Sequence, residues 1–465
     1  MGGESRVNTA LRRLLTEAGL SSSALARAIV KAGAEQGIHL GTSTTSVTRM
    51  LDGCHPRAPV PRLVAHVLSR RLGYPIRVTD CGWPDLSDEG ADTFDGFRYS
   101  RSIDGTIDTV AELSGRDINR RNFLLGSGFA AAAFSEPALL AISLPTDSER
   151  AAGSGARIGA SDVSALQETV RHFERQGRRY GGGATREQVV HLLHHNATRV
   201  LHGRYSDEVA PTLYSAVAQA TWLAGLTSVD AGRHALGQRY YSQALNLAMH
   251  ADDRPYAANV LAEMSRMTID VAQATTDTDE AKRSGQHAAA LARSALQVAD
   301  NRATPAVTAY LHSIEARCFA FLGDAGATIT ATENARRAFD RKGTAEPEWL
   351  GFYGEPDLLA DVGQCLRDAG RPRQGTAMLE QALRALPSDR VTAKAKTRIH
   401  LAAAYLELEE YEHAETVTTE ALNALGTLTS ARATERVKGL HVRVRLRGKR
   451  KSTLDDKLRE WQRSS

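Results

Sequence analysis

Three histidines and a glycine-rich stretch are the parts of this 465-residue sequence that most suggest chemistry. His191 and His195 stand four residues apart in HLLHH, with His194 beside them, so one helical face could hold a metal ion. The glutamate of a zinc-protease motif is missing, and we interpret all three as surface or core histidines. RYGGGATRE, residues 179–187, lacks the Lys-Ser/Thr pair of a phosphate-binding loop. Without a nucleophile elbow or paired carboxylates, the sequence predicts a protein that is not an enzyme and needs no metal or cofactor.

The composition indicates packed helices and more than one domain. Ala, Leu and Arg, all strong helix formers, are abundant, whereas aromatic residues make up only 6%. The four cysteines are widely separated, as expected for reduced thiols in a cytoplasmic protein. No apolar run reaches the roughly 18 residues that a membrane helix needs. We therefore expect an all-α protein of the cytoplasm with no membrane partner.

Charge is unevenly spread, although the net charge is only +4. Residues 1–78 carry about 11 basic and about 4 acidic side chains. Residues 79–119 reverse this with about 3 basic and about 10 acidic, and residues 436–465 again carry about 11 basic against about 3 acidic. A basic head followed by an acidic segment predicts a domain that binds a polyanion next to one that does not.

The basic head, residues 1–78, shows the caps and apolar spacing of a small helical bundle. Its third helix begins near Thr42 or Ser43, turns Val47, Met50 and Leu51 inward, and ends at Gly53. Short hydroxyls and one arginine point outward, and such side chains can reach phosphates and base edges in a major groove. With two arginines that flank the next helix, the predicted DNA-binding residues are Thr44, Thr45, Ser46, Thr48, Arg49, Arg57 and Arg62.

LRRLLTEAGLSSSALARAI, SVTRMLDGCHPR and PRLVAHVLSRRLG together resemble the Cro/C1, or Xre-type, helix-turn-helix family over residues 5–78. The resemblance implies binding to double-stranded DNA as a homodimer on paired half-sites. One departure is the long segment between the second and third helices, residues 32–42, where the family has a turn of three or four residues. A longer second helix followed by a loop would account for it.

NRRNFLLGSGFAAAAF, residues 119–134, looks like a twin-arginine export signal placed inside the chain. Such a signal must be N-terminal, and a coherent domain precedes this stretch, so we interpret it as structural. Residues 79–136 are then an acidic linker with connector helices, the first broken near Gly115 and the second capped by Asp117 or Asn119. Residues 137–160, rich in Pro, Ser and Gly, are predicted to be a flexible linker.

Residues 161–435 are predicted to form a tetratricopeptide-like α-solenoid of about five helix pairs. An Ala-Leu pair recurs late in successive helices, in steps of roughly 39–51 residues, and small residues mark the helix crossings. TWLAGLTSVDAGRHALGQRYYSQALNLA resembles the body of NsdA-like actinobacterial regulators, and the order of domains is similar to that of the RRNPP quorum-sensing receptors. The basic residues 436–465 are predicted to be a C-terminal cap or tail.

The first helix of each pair in such an array usually lines a concave groove. Asparagine can clamp a peptide backbone and arginine can hold a carboxylate, so polar and aromatic residues on these helices are the candidates for ligand binding. They are Asn259, Glu263, Arg266, Tyr310, Arg317, Trp349 and Tyr353.

Together these observations predict a transcriptional regulator whose head binds DNA. Its repeat domain would form a homodimer and sense a peptide, a small molecule or a partner protein. The alternative is a protein-interaction scaffold whose head no longer binds DNA. Alanine substitutions at Arg49 and Arg57 separate the two.

Overall fold

The computed structural model describes residues 7–35, 40–57, 59–72, 76, 78–83, 96–97, 99–119, 129–143, 155–343, 345–426, 428–447 and 452–464. Regular structure within these ranges is helical, and no β-strand occurs there. The all-α class and the repeat solenoid predicted from the sequence are therefore confirmed. The twin arginines, Arg120 and Arg121, lie outside the described residues.

Four helices form the head: α1 (Thr9–Glu17), α2 (Ser22–Glu35), α3 (Thr44–Leu51) and α4 (Val60–Leu72). Asn8 caps α1 by accepting a hydrogen bond from the amide of Leu11, and its own side-chain amide donates to the carbonyl of Cys81 at 2.8 Å. The apolar stripes predicted for these helices meet in one core. Its fully buried members are Leu11, Leu25, Ile29, Val47, Leu63, Val64, Leu68 and Cys81.

The second helix continues to Glu35, well past Ala32 where the predicted long segment begins. Residues 36–39 of that segment lie outside the described residues, and the chain is described again from Leu40 to the N-cap of α3. The longer second helix therefore accounts for some of the extra residues that the chain has between the second and third helices, relative to the usual helix-turn-helix spacing.

The connector contains α5 (Ile103–Asn119) and α6 (Ser135–Ser143). Helix α5 passes through Gly115 without a break, so the predicted break there is wrong, and Asp117 is not an N-cap. The predicted flexible linker also begins too early, because α6 extends into it. Burial explains these differences: Ile107, Leu113 and Phe134 pack into the core of the repeat domain, and that packing holds the connector in helical form.

The body begins with α7 (Ala160–Tyr180), followed by α8 (Arg186–His191), a π-helical stretch Leu192–Ala197 and α9 (Thr198–Leu201). Antiparallel helix pairs then stack in chain order, each pair burying a face that it could not bury alone. They are α10 (Ala210–Asp230) with α11 (His234–His250), α12 (Arg254–Ala274) with α13 (Thr278–Ala299), α14 (Pro305–Leu322) with α15 (Ala325–Phe339), α16 (Glu355–Asp368) with α17 (Pro372–Ala385), and α18 (Val391–Glu407) with α19 (Tyr411–Leu425).

A sixth pair, α20 (Ala431–Leu446) and α21 (Thr453–Ser464), follows the fifth. The segment predicted to be a basic C-terminal cap or tail is therefore helical where it is described. Helix α20 buries Val437, Leu440 and Val444 in a cluster shared with α18 and α21. It also contacts α10 and α12. The curvature of the solenoid thus brings its last pair back to its first two pairs.

Close approach of α16 and α17 depends on two glycines, Gly363 and Gly375. A Cβ atom at Gly375 would lie 2.6 Å from the carbonyl oxygen of Gly363. We expect Gly375→Ala to lower the free energy of unfolding by about 1–3 kcal/mol, because the helices must move apart. Chemical denaturation followed by circular dichroism measures this. Gly326→Ala on α15 is the matched control, since a Cβ there meets nothing closer than 3.7 Å. Equal effects of the two substitutions would contradict the close approach.

Candidate nucleic-acid interface and repeat groove

A reciprocal cap fixes the start of α3. The amide of Ser46 donates to Oγ of Ser43 at 3.3 Å, and the amide of Ser43 donates to Oγ of Ser46 at 3.4 Å. Val47 and Met50 anchor the opposite face in the core of the head. Capping and burial together leave a helix of defined orientation with one face toward solvent.

Four of the five outward residues predicted on α3 are exposed: Thr44, Thr45, Thr48 and Arg49. Ser46 is half-buried and its hydroxyl takes part in the cap, so the structure gives it a structural role. The Thr48 hydroxyl donates to the carbonyl of Thr44 at 3.1 Å, which leaves its methyl group and oxygen lone pairs facing outward. The exposed face is therefore small and polar, with one long cation.

Arg57, in the turn after α3, is exposed like Arg49. Arg62 lies within α4, and its side chain is outside the described residues. Among described residues no carboxylate pairs with Arg49 or Arg57. Both guanidinium groups are therefore available to an external anion.

Sequence reasoning missed two cations on α2. Arg27 and Lys31 are exposed, and with Thr42 and Thr44 they line a shallow groove between α2 and the start of α3. Their spacing of four residues places both on one face of α2, which was a signal available in the sequence. The candidate interface therefore extends across α2 as well as α3.

The end of α4 faces the body. Arg71 forms an ion pair with Asp277, and Arg70 lies 3.7 Å from Glu280, both on or next to α13. Arg283 donates to the carbonyl of Arg71 at 3.3 Å. These arginines of the head are therefore used within the chain and do not belong to the candidate nucleic-acid interface.

The residues predicted to line an open groove are for the most part inside the body. Asn259, Glu263, Tyr310, Arg317 and Tyr353 are each no more than 5% exposed. Glu263 accepts a hydrogen bond from the hydroxyl of Tyr310 at 2.6 Å and pairs with Arg266. The Tyr353 hydroxyl and Oγ of Ser313 are 2.8 Å apart. As placed here they form an interior network, and an incoming ligand would have to displace part of the chain to reach them.

Helix α7 and the loop before α16 cover one side of this network. Trp349 is half-buried and meets the Tyr256 ring edge-on at 5.3 Å. Arg178 of α7 stacks over the ring of Phe352 at 3.6 Å, a cation–π contact, and Arg171 pairs with Glu348 at 2.7 Å. Trp349 therefore contributes to packing between the loop and the body.

Helix α20 covers the other side through a polar seam. Arg432 pairs with Asp230 of α10 at 2.6 Å, and Arg436 lies 3.5 Å from Asp270 of α12. Further along, Arg443 lies 3.3 Å from Glu407 at the end of α18. The carbonyl ends of helices favour nearby cations, so basic residues suit a helix that crosses them.

Asp270 is the carboxylate on which several arginines converge. Burial alone would raise its pKa, but Arg436, Arg317, Arg432 and Arg266 together hold the pKa well below its usual range. Burial and the neighbouring arginines lower the pKa of Arg436 to about 10. The seam thus has charged side chains both on α20 and on the helices that α20 crosses, and several of them are arginines.

The three histidines of the π-helical region lie close together. The rings of His191 and His195 stack at 5.4 Å, and Nδ1 of His194 is 3.2 Å from Oγ of Ser114 on α5. Among the described residues no group of three metal-binding side chains could hold an ion. The contact with Ser114 gives His194 a packing role between α5 and the body.

A pH prediction follows from His400, a buried residue of α18. Burial and then Arg367 and Lys396 hold its pKa well below 6.5, so the folded protein keeps the ring neutral. In the unfolded chain, the His400 ring takes up a proton near pH 6.5. The contribution of the neutral ring to stability is therefore fully present above that pH, and the free energy of unfolding falls as the pH drops below it. We expect protonation of this residue to lower the free energy of unfolding by about 1.4 kcal/mol per pH unit, as measured by urea denaturation between pH 7 and 5. His400→Gln should flatten that slope, and an unchanged slope would contradict the assignment.

One family model matches the head. A family described as the SP15 N-terminal domain matches residues 11–84, which include most of α1 and all of α2 to α4. No curated protein matches the chain. One similar solved structure is a signal transduction ATPase with numerous domains (STAND) protein with a tetratricopeptide repeat sensor from Pyrococcus horikoshii. It shows 10% identity and a TM-score of 0.33, covering 95% of this chain and 68% of that one. At this level the similarity carries no argument about function.

By its stacked helix pairs, the body has the fold of a tetratricopeptide-like helical repeat. None of the described helices is both long enough and apolar enough to cross a membrane.

Proposed function

We propose that this protein is a DNA-binding transcriptional regulator of the Xre, or Cro/C1, type. The observation that carries the proposal is the capped helix α3, which exposes Thr44, Thr45, Thr48 and Arg49 near the exposed Arg57. Hydroxyls and an arginine on a helix of this length can enter a major groove, where Arg bonds guanine and Thr packs on the thymine methyl. Arg27 on α2 adds a phosphate contact from the neighbouring helix.

The body is the sensor and the dimerisation domain in this proposal. Its likeness to the NsdA-like actinobacterial regulators and its similarity in domain order to the quorum-sensing receptors support that assignment. Binding of a peptide, small molecule or protein would change the relative placement of two heads and so their fit to paired half-sites. The protein acts in the cytoplasm, where its DNA is, and catalyses no reaction.

Genome-wide DNA occupancy of the tagged protein in its host tests the DNA-binding half. We expect sharp peaks that share an inverted repeat, whose half-site spacing reports the distance between heads in the dimer. Fluorescence anisotropy with the recovered sequence then gives affinity and its dependence on salt. A flat profile from a well-expressed protein would contradict the proposal.

A protein-interaction scaffold is the second candidate, and the helical-repeat fold of the body favours it, since such arrays serve many partners. In that case the head would serve dimerisation alone. Occupancy would be flat, and a pull-down on the body would return a partner that the Arg49→Ala, Arg57→Ala double variant still binds.

A further inference from the structure

Beneath the polar seam, three cations each pair with a carboxylate. Glu263 pairs with Arg266, Asp230 with Arg432 at 2.6 Å, and Asp361 with Lys396 at 3.1 Å. Asp270 is shared by two guanidinium groups. Arg317 approaches from α14 at 3.3 Å and Arg436 from α20 at 3.5 Å. Among these described side chains, five cations therefore face four carboxylates.

The hydrogen bonding of this cluster is incomplete as well. Arg317 is 5% exposed, yet its Nε and Nη1 donate to no described protein atom. The Nε of Arg266 also lacks an acceptor among the described residues. A buried guanidinium with unused donors is costly, and native proteins satisfy such groups with a protein atom, a water or an ion.

The charged side chains that face Arg436 also include more cations than carboxylates. Asp270 is the carboxylate that faces it, whereas Arg432, Arg317 and Arg266 face it as cations. Beyond its partner Asp361, Lys396 faces Arg317, Arg436 and Arg266, and burial together with these cations lowers its pKa. An added anion would therefore relieve repulsion from several directions.

We propose that this cluster is a binding site for a carboxylate group, held by the unused donors of Arg317 and balanced against Arg436. Nε and Nη1 lie on different edges of the planar guanidinium, and each can donate one charge-assisted hydrogen bond to a carboxylate oxygen. The ligand enters when the seam between α20 and the first two helix pairs opens, since ion pairs at its rim can exchange for water. The inference deepens the sensor half of the proposed function and depends on it, but not on DNA binding.

Thermal unfolding of the full-length protein tests the site without DNA. The probes are sodium acetate, triglycine with a free C-terminus and triglycine amide, each titrated at constant ionic strength with sodium chloride. We expect acetate and free triglycine to raise the unfolding midpoint by about 2–4 °C in a saturable way. The amide, which lacks the carboxylate, should give no saturable rise. Acetate stands for a small acid and triglycine for a peptide terminus, so their relative strength distinguishes the two sources.

Arg317→Gln is the decisive variant, because it removes the surplus cation and leaves Asp270 with Arg436. The variant should fold and lose the saturable response to carboxylates. Arg443→Gln is the matched control: it makes the same change on α20, but its partners Asp368 and Glu407 lie outside the cluster, and it should keep the response. A wild-type protein without a saturable rise, or an Arg317→Gln variant that retains it, would overturn the proposal. Failure here together with normal DNA occupancy would remove the carboxylate site and leave the regulator intact.

Discussion

Alanine at both Arg49 and Arg57 is expected to weaken operator binding by about 100-fold or more, because each lost arginine contact costs about 1–3 kcal/mol. If one arginine contacts a base and the other a phosphate, the preference for one base pair of the operator should weaken as the overall affinity falls. The slope of log affinity against log salt should also become shallower by about one per lost phosphate contact. Anisotropy titrations at several salt concentrations measure all three effects.

The fold should survive this double substitution, since both side chains are exposed and neither pairs with a described carboxylate. Arg337→Ala with Arg384→Ala is the matched control, with the same loss of charge on exposed helical positions of the body. If the control weakens DNA binding as much as the head variant, general charge and not α3 would explain the binding. If neither variant has an effect, the head does not contact DNA through this face.

Loss of the Asp117 side chain should give the largest change in stability. The carboxylate is 1% exposed, accepts from Arg186 at 2.6 Å and from the hydroxyl of Tyr240 at 2.8 Å, and has Arg233 at 3.8 Å. Asp117→Ala would leave a buried cation and a buried hydroxyl without an acceptor. We expect the free energy of unfolding to fall by about 3–5 kcal/mol, as is typical when one partner of a buried ion pair is removed. Chemical denaturation followed by circular dichroism is the measurement.

Two further variants test whether the buried ion pair of Asp117 causes this loss of stability. Asp117→Asn keeps the shape and one acceptor oxygen but no charge, so its loss should be smaller than that of Asp117→Ala. Asp108→Ala removes an exposed carboxylate from the same helix and should change stability by less than about 0.5 kcal/mol. Equal losses at positions 108 and 117 would mean that the helix, and not the buried pair, is responsible.

Much of the helical framework could be predicted from the sequence because its signals are local. Ser43 and Gly53 bracket α3, and the stripe of Val47 and Met50 sets its buried face, as predicted. In the body the recurrent Ala-Leu pairs fall in second helices, including Ala244 and Leu245 of α11. Capping and periodicity act over a few residues, so they can be read without knowing what packs against them.

Longer-range features could not be predicted in this way. A single sequence pattern assigned Asp117 to a cap, whereas a partner more than sixty residues away in the chain holds it in a buried ion pair. Gly115 was predicted to break α5, but packing against the body overrides its weak propensity. Of the residues expected to line an open groove, five lie on the first helices α12 and α14, whereas Trp349 and Tyr353 lie in the loop before α16. Sequence patterns carry no information about what would cover them.

By itself the sequence determined the helical class, the capped and exposed α3, the excess of positive charge in the head and the repeat of helix pairs in the body. Only the tertiary structure decided that α20 returns to α10 and α12, that Asp270 must serve both Arg317 and Arg436, and that the groove residues lie inside. The physical reason is the range of the interactions. Helix propensity, caps and apolar stripes depend on residues that are close in the sequence. The return of α20 to the first helix pairs depends instead on small rotations between neighbours, added over six helix pairs. Which charged side chains meet depends on that return.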